Sequence, residues 1–408
     1  MKGSLKLITT LVILGNVTFF FNAQAQKLGN ATYINGSSLN TITTAVPFLM
    51  IAPDARSGAL GDAGVAISPD ANAIHWNPAK LAFIDKELGF SVSHTPWLSA
   101  LVNDISLSYM SGYKQLDKKQ AIGLSLLYFS LGDIERTDES GSSLGAYNPN
   151  EFSTDLSYAR KLSDKLALGM SLRFVYSNLT GGLFVGGSET KAGTSIAADI
   201  STYYQTDFEV RGKNSIFAFG ANMSNIGSKM TYTETAEKDF IPMNLRLGVA
   251  WTIELDKYNS LALAFDINKL LVPTPPIYND TTGAVEFGKD PNRGVVSSMF
   301  DSWADAPGGF SEEMREFTYS TGIEYWYDKQ FALRGGYFYE HASKGNRKYF
   351  ALGAGLKYNV FGVDFAYLIP TEQRHPLENT LRFTLHFDFN AFQGKTSPIQ
   401  NVEEADEN

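Results

Sequence analysis

The stretch Leu381-Arg382-Phe383-Thr384-Leu385-His386-Phe387-Asp388-Phe389 alternates strictly between two kinds of side chain. Every odd position is apolar, and every even position is polar or charged. Because successive side chains of a β-strand point to opposite faces, this period of two predicts a strand with one apolar face. Residues 245–255 and 166–174 repeat the pattern, often with Gly, Ala or Ser at the alternate positions. The chain is therefore predicted to be an all-β protein.

The connections between such strands alternate in length. They are short after even strands, as at residues 162–164, 256–258 and 328–329. After most odd strands they are long, as at 133–150, 178–191, 227–241 and 269–316. Short turns on one side and long loops on the other are typical of a transmembrane antiparallel β-barrel. This alternation of connection lengths is not expected in a soluble β-sandwich. About fourteen strands are predicted, starting near Leu88, Ile105, Ile122, Phe152, Leu166, Ser195, Ile216, Leu245, Leu261, Phe317, Phe331, Phe350, Val360 and Leu381.

Composition is consistent with a membrane barrel. Aromatic residues make up 13% of the 408 residues, and Tyr325-Trp326-Tyr327 and Tyr337-Phe338-Tyr339 suit the aromatic girdles at the two membrane interfaces. After the N-terminal region, no segment has the roughly 18 uninterrupted apolar residues that a membrane-spanning helix needs. A closed barrel is the other structure that pairs all its backbone groups within a bilayer.

The N-terminus predicts export from the cytoplasm. Lys2 and Lys6 precede an apolar run over residues 7–21, and Ala23-Gln24-Ala25 follows as a cleavage site, which indicates a signal peptide over residues 1–25. The predicted mature chain has an extension over 26–46, a plug over 47–86, the barrel over 87–392 and an acidic periplasmic tail over 393–408. The sequence contains no Cys, which excludes a lipid-anchored cysteine and disulfides.

The charge of the chain is negative. Loss of the two signal-peptide lysines leaves the mature chain two charges more negative than the −9 of the full sequence. No basic patch stands out. Nucleic acid is therefore not expected as a partner, because phosphate backbones attract basic proteins.

Two neighbouring segments carry a resemblance to a known family. Residues 52–66 (APDARSGALGDAGVA) and 70–82 (DANAIHWNPAKLA) resemble the plug of the FadL-type barrel superfamily, with Asn77, Pro78 and Ala79 as its marker. Within that superfamily, residues 46–392, including Thr95-Pro96-Trp97-Leu98, are most similar to the PorV family, also called LptO, of type IX secretion outer-membrane components.

The resemblance implies a fold, a location and partners. It implies a FadL-like barrel of fourteen strands with an N-terminal plug in the bacterial outer membrane. The implied partners are the type IX translocon barrel, secreted cargo with a C-terminal signal domain, a cell-surface sortase and outer-membrane lipid or lipopolysaccharide. Proteins of this kind are understood to collect cargo as it leaves the translocon and to deliver it for attachment or release.

The residues themselves predict no catalytic, cofactor or metal site. The five histidines are scattered without the spacing of metal ligands, and there is no G-x-S-x-G elbow or phosphate-binding glycine loop. Charged residues on the polar faces of strands are expected to point into the lumen and to pair there. These are Arg173, Arg246, Glu254, Asp266, Glu324, Arg334, Lys357, Asp364, Arg382, His386 and Asp388. We therefore expect a protein that is not an enzyme.

The long loops are the predicted sites of partner contact, because loops on a rigid scaffold often carry binding and several of these are apolar. A short amphipathic helix is predicted within residues 293–305, with Val296, Met299, Phe300 and Trp303 apolar. Packing of these apolar residues within the protein remains an open alternative to partner contact. The candidate contact residues are Trp97, Leu98, Leu183, Phe184, Val185, Phe300 and Trp303.

Three functions stay open at this point. The first is a secretion partner that shuttles cargo. The second is a FadL-like transporter of hydrophobic small molecules, which needs a continuous apolar pocket from the outer loops to the lumen. The third is a lipid A deacylase, which needs a nucleophile and a base that face lipid near the outer leaflet. A Ser or Thr with a His at such a position is not evident in the sequence.

Overall fold

The computed structural model describes residues 39–389, apart from residues 103, 138–139, 183, 186–187, 234–237, 280 and 373–374. The predicted signal peptide over residues 1–25 and the acidic tail over 393–408 lie outside the described residues. Both stay predictions.

Fourteen antiparallel strands form one closed barrel, in which each strand pairs with its neighbours in the chain and the first pairs with the last. The predicted count is confirmed, and the predicted strand starts lie within about three residues of the observed ones. The strands are β1 (Leu88–Pro96), β2 (Ser106–Asp117), β3 (Gln120–Ser130), β4 (Asn150–Lys161), β5 (Leu166–Asn178), β6 (Gly193–Val210), β7 (Lys213–Gly227), β8 (Asn244–Glu254), β9 (Asn259–Leu270), β10 (Thr318–Tyr327), β11 (Phe331–Tyr339), β12 (Lys348–Tyr358), β13 (Phe361–Pro370) and β14 (Leu381–Phe389).

The apolar face of the strands is the outer face of the barrel. In β14, Arg382 and Thr384 are almost fully buried, whereas Phe383 and Leu385 are 45% and 42% exposed. A soluble sandwich would bury its apolar side chains and expose its charges. The inverted arrangement is that of a barrel whose outer wall meets lipid, so the period of two that predicted the strands also marks the membrane-facing side.

The two ends of the barrel differ as the sequence predicted. At one end, the strands β2 to β13 are joined in pairs by tight turns, as between Asp117 and Gln120 or between Val210 and Lys213. The other end carries all the longer connections, of which residues 271–317 are the longest. We call this the outer end, because long loops face outward in outer-membrane barrels. Among the described residues, no helix is long and apolar enough to cross a membrane.

The segment before β1 folds into short helices inside the lumen. It comprises the 3-10 helix Pro47–Met50, the α-helices Ala55–Ala59 and Ala73–Trp76, and the 3-10 helix Pro78–Phe83. Asp54 begins the helix Ala55–Ala59 by accepting a hydrogen bond from the backbone N–H of Ser57 at 2.8 Å. Gly61 has a φ of 68°, and a Cβ there would lie 2.6 Å from the backbone of Tyr337, so only glycine fits this close approach to the wall.

A chain of buried charges fastens this plug to the barrel wall. Arg56 of the plug donates to both carboxylate oxygens of Glu324 on β10, at 2.9 and 2.8 Å. Glu324 also accepts from Arg334 at 2.7 Å, and Arg334 donates to Asp364 at 2.6 Å. Each ion is nearly excluded from solvent, so each depends on its partners for the interactions that water would otherwise supply. This chain of charges therefore joins the plug to strands β10, β11 and β13 of the wall.

Further contacts extend the fastening around the lumen. Asp62 of the plug accepts from Arg382 at 2.8 Å, and Asp266 on β9 accepts from the backbone N–H groups of Gly64 and Val65. Away from the plug, Arg173 binds Asp155 and Asp199, and Lys357 binds Asp388. The prediction that lumen charges pair with one another is confirmed for Arg173, Glu324, Arg334, Lys357, Asp364, Arg382 and Asp388. It is wrong for Asp266, which binds backbone N–H groups, and for Arg246, which lies over the Trp76 ring and donates to Asn268. Glu254 is an exception, because it lies on the surface and accepts from Asn214.

We expect the Glu324→Gln substitution to loosen the plug, because it leaves Arg56 and Arg334 buried beside a neutral group. Removal of one partner from a buried ion pair typically costs about 3–5 kcal/mol. The measurement is urea unfolding of the purified protein in detergent, together with ion conductance in planar bilayers. Glu254→Gln, which removes an exposed carboxylate from the same wall, is the control and should change the free energy of unfolding by less than about 1 kcal/mol. Equal effects of the two variants would show that the plug does not depend on this contact.

Candidate functional site

The Asn77-Pro78-Ala79 motif fastens the plug to strand β6. The side-chain amide of Asn77 donates to the backbone oxygens of Val65 at 3.1 Å and Thr202 at 2.9 Å, and its oxygen accepts from the Ala79 N–H. Pro78 begins the 3-10 helix that follows, and the Ala79 N–H also donates to the Ser201 hydroxyl. Both polar atoms of the Asn77 side chain are engaged within the protein, which favours a structural role over ligand contact.

The lumen is closely packed around the plug. Phe48 and Leu49 pack near the outer end against inward-facing wall residues such as Leu107 and Val175. A cavity between Leu60, Ile67 and the wall strands β8 to β10 has a volume of about 10 Å³, which is room for about one water molecule. Nothing of this size holds a drug-sized ligand, which needs about 300 Å³ or more.

His75 is the histidine of the plug, and its surroundings do not favour metal binding. Its ring makes edge-on contacts with Trp76 at 5.0 Å and Tyr109 at 6.2 Å. Burial lowers the pKa of His75 well below its ordinary value, and Arg246 and Arg173 lower it further. Within the part of the chain that the structure describes, no group of three or more His, Asp or Glu side chains is arranged to hold a metal ion.

The longest outer loop, residues 271–317, folds back onto the outer face of the barrel. Its helix Val295–Asp301 turns Val295 and Met299 toward a cluster that includes Met243 and the outward-facing Met223 and Leu245. The loop also contains a hairpin of Ile277–Tyr278 with Val285–Phe287, and the short helices Phe310–Glu313 and Met314–Glu316. The helix predicted within residues 293–305 is present, but it spans only Val295–Asp301.

Buried ion pairs hold the base of this loop. Lys269, only 1% exposed, donates to Glu313 at 3.2 Å and to Glu316 at 2.6 Å. Lys344, from the next outer loop, donates to Glu316 at 3.1 Å. Asp305 lies in the same cluster, and its Oδ2 accepts from the Thr274 N–H at 3.4 Å. Three carboxylates and two lysines thus clasp the loop to the barrel, and we call Asp305, Glu313, Glu316, Lys269 and Lys344 the loop clasp.

Above the loop clasp, large apolar side chains remain exposed. Val296 and Phe300, four residues apart on one side of the helix, are 65% and 74% exposed, and Phe310 is 77% exposed. Trp303 is half-exposed, with its ring 6.2 Å from that of Phe317. Large exposed apolar groups are costly in water and mark surfaces that bind a protein or lipid. We call Val296, Phe300, Trp303 and Phe310 the apolar loop face.

The other predicted contact residues are placed differently. Trp97 and Leu98 are partly buried and pack against a cluster at the barrel mouth that includes Phe338 and Leu377. Leu183 lies outside the described residues. Phe184 and Val185 form a short two-stranded hairpin with Ser188–Glu189. Of the predicted set, Phe300 and Trp303 are large apolar residues of one loop that remain exposed.

One pair of residues on the outer wall was not predicted from the sequence. His94 of β1 and Ser108 of β2 are cross-strand partners, and the His94 Nδ1 lies 3.0 Å from the Ser108 hydroxyl. Their neighbours in the chain, Ser93 and Leu107, are buried and point into the lumen. Because successive side chains of a strand alternate between faces, His94 and Ser108 point to the lipid side near the outer end. The two lie 14 residues apart in the chain, so only the pairing of the strands reveals their contact.

Comparison with known protein families identifies one match. The family described as "Type IX secretion system protein PorV" matches residues 34–277, which is more than half of the chain. The comparison with curated protein sequences found no match.

Several solved structures resemble the chain at low identity. The Ralstonia pickettii toluene transporter TbuX is 11% identical, with 83% of this chain and 98% of that chain covered and a TM-score of 0.43. The Pseudomonas putida toluene transporter TodX is 11% identical over 81% and 95%, with a TM-score of 0.43. A Pseudomonas aeruginosa FadL homologue is 11% identical over 86% and 100%, with a TM-score of 0.41.

We expect the loop clasp to weaken as the pH rises from about 4 to about 6. Burial raises the pKa of Asp305 to about 6, and the neighbouring Glu313 and Glu316 raise it further. The folded loop therefore binds this proton more tightly than the unfolded loop, and it loses stability as Asp305 ionises. Limited proteolysis of residues 271–317 in the wild type and in Asp305→Asn measures the effect. Comparing the two proteins at one pH cancels the pH dependence of the protease.

At pH 7.5, Asp305→Asn should be cleaved several-fold more slowly than the wild type, because the amide carries no charge. At pH 5 the difference should be much smaller. The same ratio of cleavage rates at both pH values would contradict the assignment of Asp305 as the titrating group.

Proposed function

Because the chain belongs to the PorV family of type IX secretion system proteins, we propose that it shuttles cargo from the translocon barrel to the cell-surface sortase. It is an outer-membrane protein of that system. In the proposed role, it accepts secreted proteins through their C-terminal signal domains as they leave the translocon. Outer-membrane lipid or lipopolysaccharide surrounds its barrel.

The packed lumen supports a role at the surface. The plug is bound to the wall by buried ion pairs, and the cavity beside it has room for about one water. A folded cargo domain cannot enter such a barrel, so the cargo would meet the outer loops. The alternative of a transporter for hydrophobic small molecules needs a continuous apolar pocket, and the packing beside the plug gives it no support.

The main support for the proposal is the exposure of large apolar side chains on the apolar loop face. Interfaces between proteins gain most of their free energy from a few large side chains that are buried on binding, and aromatic residues are prominent among them. Phe300, Phe310 and Trp303 offer this kind of anchor. The loop clasp holds their backbone in place, which reduces the conformational entropy that binding would otherwise cost. We assign the contact with the translocon or its cargo to this surface.

We expect the double substitution Phe300→Asp and Phe310→Asp to release the partner without unfolding the barrel. Two charges in a buried apolar contact should weaken the association at least about a hundredfold, since each truncated anchor typically costs about 2 kcal/mol or more. The measurement is recovery of a large translocon barrel with the tagged protein from its native outer membrane in mild detergent.

The control is the double substitution Ile277→Asp and Phe287→Asp. These residues lie in the hairpin of the same loop and are about half exposed, so the change in charge and hydrophobicity is matched. The control should retain the translocon. Full recovery of the translocon with the Phe300 and Phe310 variant would remove the apolar loop face from the proposal.

The pair of His94 and Ser108 favours a second candidate function, hydrolysis of an acyl ester in an outer-leaflet lipid. A serine hydroxyl beside a histidine nitrogen is the core of many hydrolytic sites, and this pair faces lipid. Such sites also need a group that orients the histidine and donors that stabilise an oxyanion. Among the described residues, His94 has a hydrogen bond to Ser108 alone. We therefore keep the proposal that the protein is not an enzyme.

Replacement of Ser108 by Ala tests this second function. A hydroxyl that only bonds to His94 across two strands can be removed with little effect, so the acylation pattern of lipid A in the native membrane should be unchanged. Mass spectra of lipid A from cells with the wild type or Ser108→Ala make the comparison. An additional ester-linked acyl chain in the variant strain would establish Ser108 as a nucleophile.

A further inference from the structure

Several cationic side chains lie where strands β10 to β12 meet the long loops, on the lipid-facing side of the barrel wall. The hydroxyl of Tyr349 donates to Asp62 of the plug, so Tyr349 points into the lumen. Its neighbours Lys348 and Phe350 therefore point outward. Phe350 is among the exposed apolar residues that face lipid. Lys348 lies two residues further toward the outer end, about 7 Å along the strand.

Arg315 and His341 lie near Lys348. Arg315 is exposed in the short helix Met314–Glu316, directly before β10, and His341 follows β11. Lys348 pairs with Tyr339, two residues before His341, and Glu316, next to Arg315, accepts from Lys344 of the connection between β11 and β12. These contacts bring Arg315, His341 and Lys348 to the same end of the wall. Burial lowers the pKa of His341, and Arg315, Lys348 and Lys344 lower it further.

Three carboxylates of this region have cationic partners, and a fourth, Glu372, accepts from the side-chain amide of Asn346 at 2.6 Å. Glu316 binds Lys269 and Lys344, and Glu312 binds Lys344 at 2.6 Å. Glu340 binds Arg347 at 2.9 Å. Over the ranges that the structure describes, Arg315 and Lys348 have no carboxylate within 4.0 Å. Their charges are therefore available to a ligand.

A cluster of aromatic rings lies below these cations on the lipid-facing wall. The Lys348 Nζ is 5.4 Å from the centre of the Tyr339 ring, and that ring is 6.3 Å from the Tyr319 ring. Tyr337 and Phe350 are 4.8 Å apart. Tyrosine is enriched where the hydrocarbon of a bilayer meets the headgroups. Arg315 and Lys348 therefore stand at the height of lipid headgroups.

We propose that Arg315 and Lys348 form a binding site for a phosphorylated lipid of the outer leaflet, whose acyl chains lie along Phe350 and the tyrosines. The site is continuous with the lipid-facing wall, which favours a membrane lipid over a soluble anion. Arg315 offers paired N–H donors that match phosphate oxygens, and Lys348 offers a point charge. The inference does not depend on the cargo role.

The test is native mass spectrometry of the full chain in neutral detergent with added lipid A. We expect the wild type to bind lipid A about tenfold more tightly than the Arg315→Gln, Lys348→Gln double variant, since each basic residue near a lipid surface contributes noticeably to binding. The control is Lys118→Gln with Lys119→Gln, which removes the same charge from the tight turn between β2 and β3, at the opposite end of the barrel. It should bind like the wild type. Heat-modifiable migration in gels verifies that each variant is folded.

Two further arms distinguish the source of the phosphate. In the first, lipid A without its phosphates is added to the wild type, and it should bind as weakly as intact lipid A binds to the double variant. In the second, inorganic phosphate is added in about tenfold excess to the wild type with bound lipid A, and it should not displace the lipid. Equal binding by the double variant and the control would overturn the proposal. So would equal binding of the two forms of lipid A, or displacement of lipid A by inorganic phosphate.

Discussion

Within the hydrocarbon of a bilayer, every backbone N–H and C=O must find a partner in the protein, and most of this structure follows from that constraint. A sheet satisfies the constraint only when its last strand pairs with its first. Here β14 pairs with β1, and Ser91 lies opposite His386. Closure with fourteen strands creates a wide lumen. The inward faces of the strands then need contents of their own, and the plug and its charges supply them.

The lumen is filled by polar contacts as well as by apolar packing. Arg56 and Glu324 illustrate why this arrangement is stable only as a whole. Each is costly to bury alone, but together with Arg334 and Asp364 they form a chain in which every charge has an opposite neighbour. Such a chain also fixes orientation, because the planar guanidinium of Arg56 meets both oxygens of Glu324. A lumen filled in this way favours the outer surface as the place for recognition.

On that surface, one loop serves two purposes. The underside of residues 271–317 packs on the barrel through Val295 and Met299 and is held by the loop clasp around Lys269. The upper side presents Val296, Phe300 and Phe310. The sequence predicted an amphipathic helix here, and it named Phe300 and Trp303 as candidate contacts. It did not separate packing from exposure, because Val296 and Met299 are equally apolar and only the position of the barrel wall makes one of them exposed.

The alternation of side chains along 381–389 determined by itself that the chain forms strands, and the lengths of the connections determined that these strands close into a membrane barrel with two unlike ends. Both are local properties, since the face of a strand residue depends only on its parity and the reach of a turn only on its length. The tertiary structure alone decided which residues from different strands meet. His94 contacts Ser108, and Lys344 contacts Glu316, because the register of paired strands and the fold of a long loop set distances that parity cannot give. Contacts between elements depend on packing in three dimensions, and a periodic pattern in the sequence does not encode that packing.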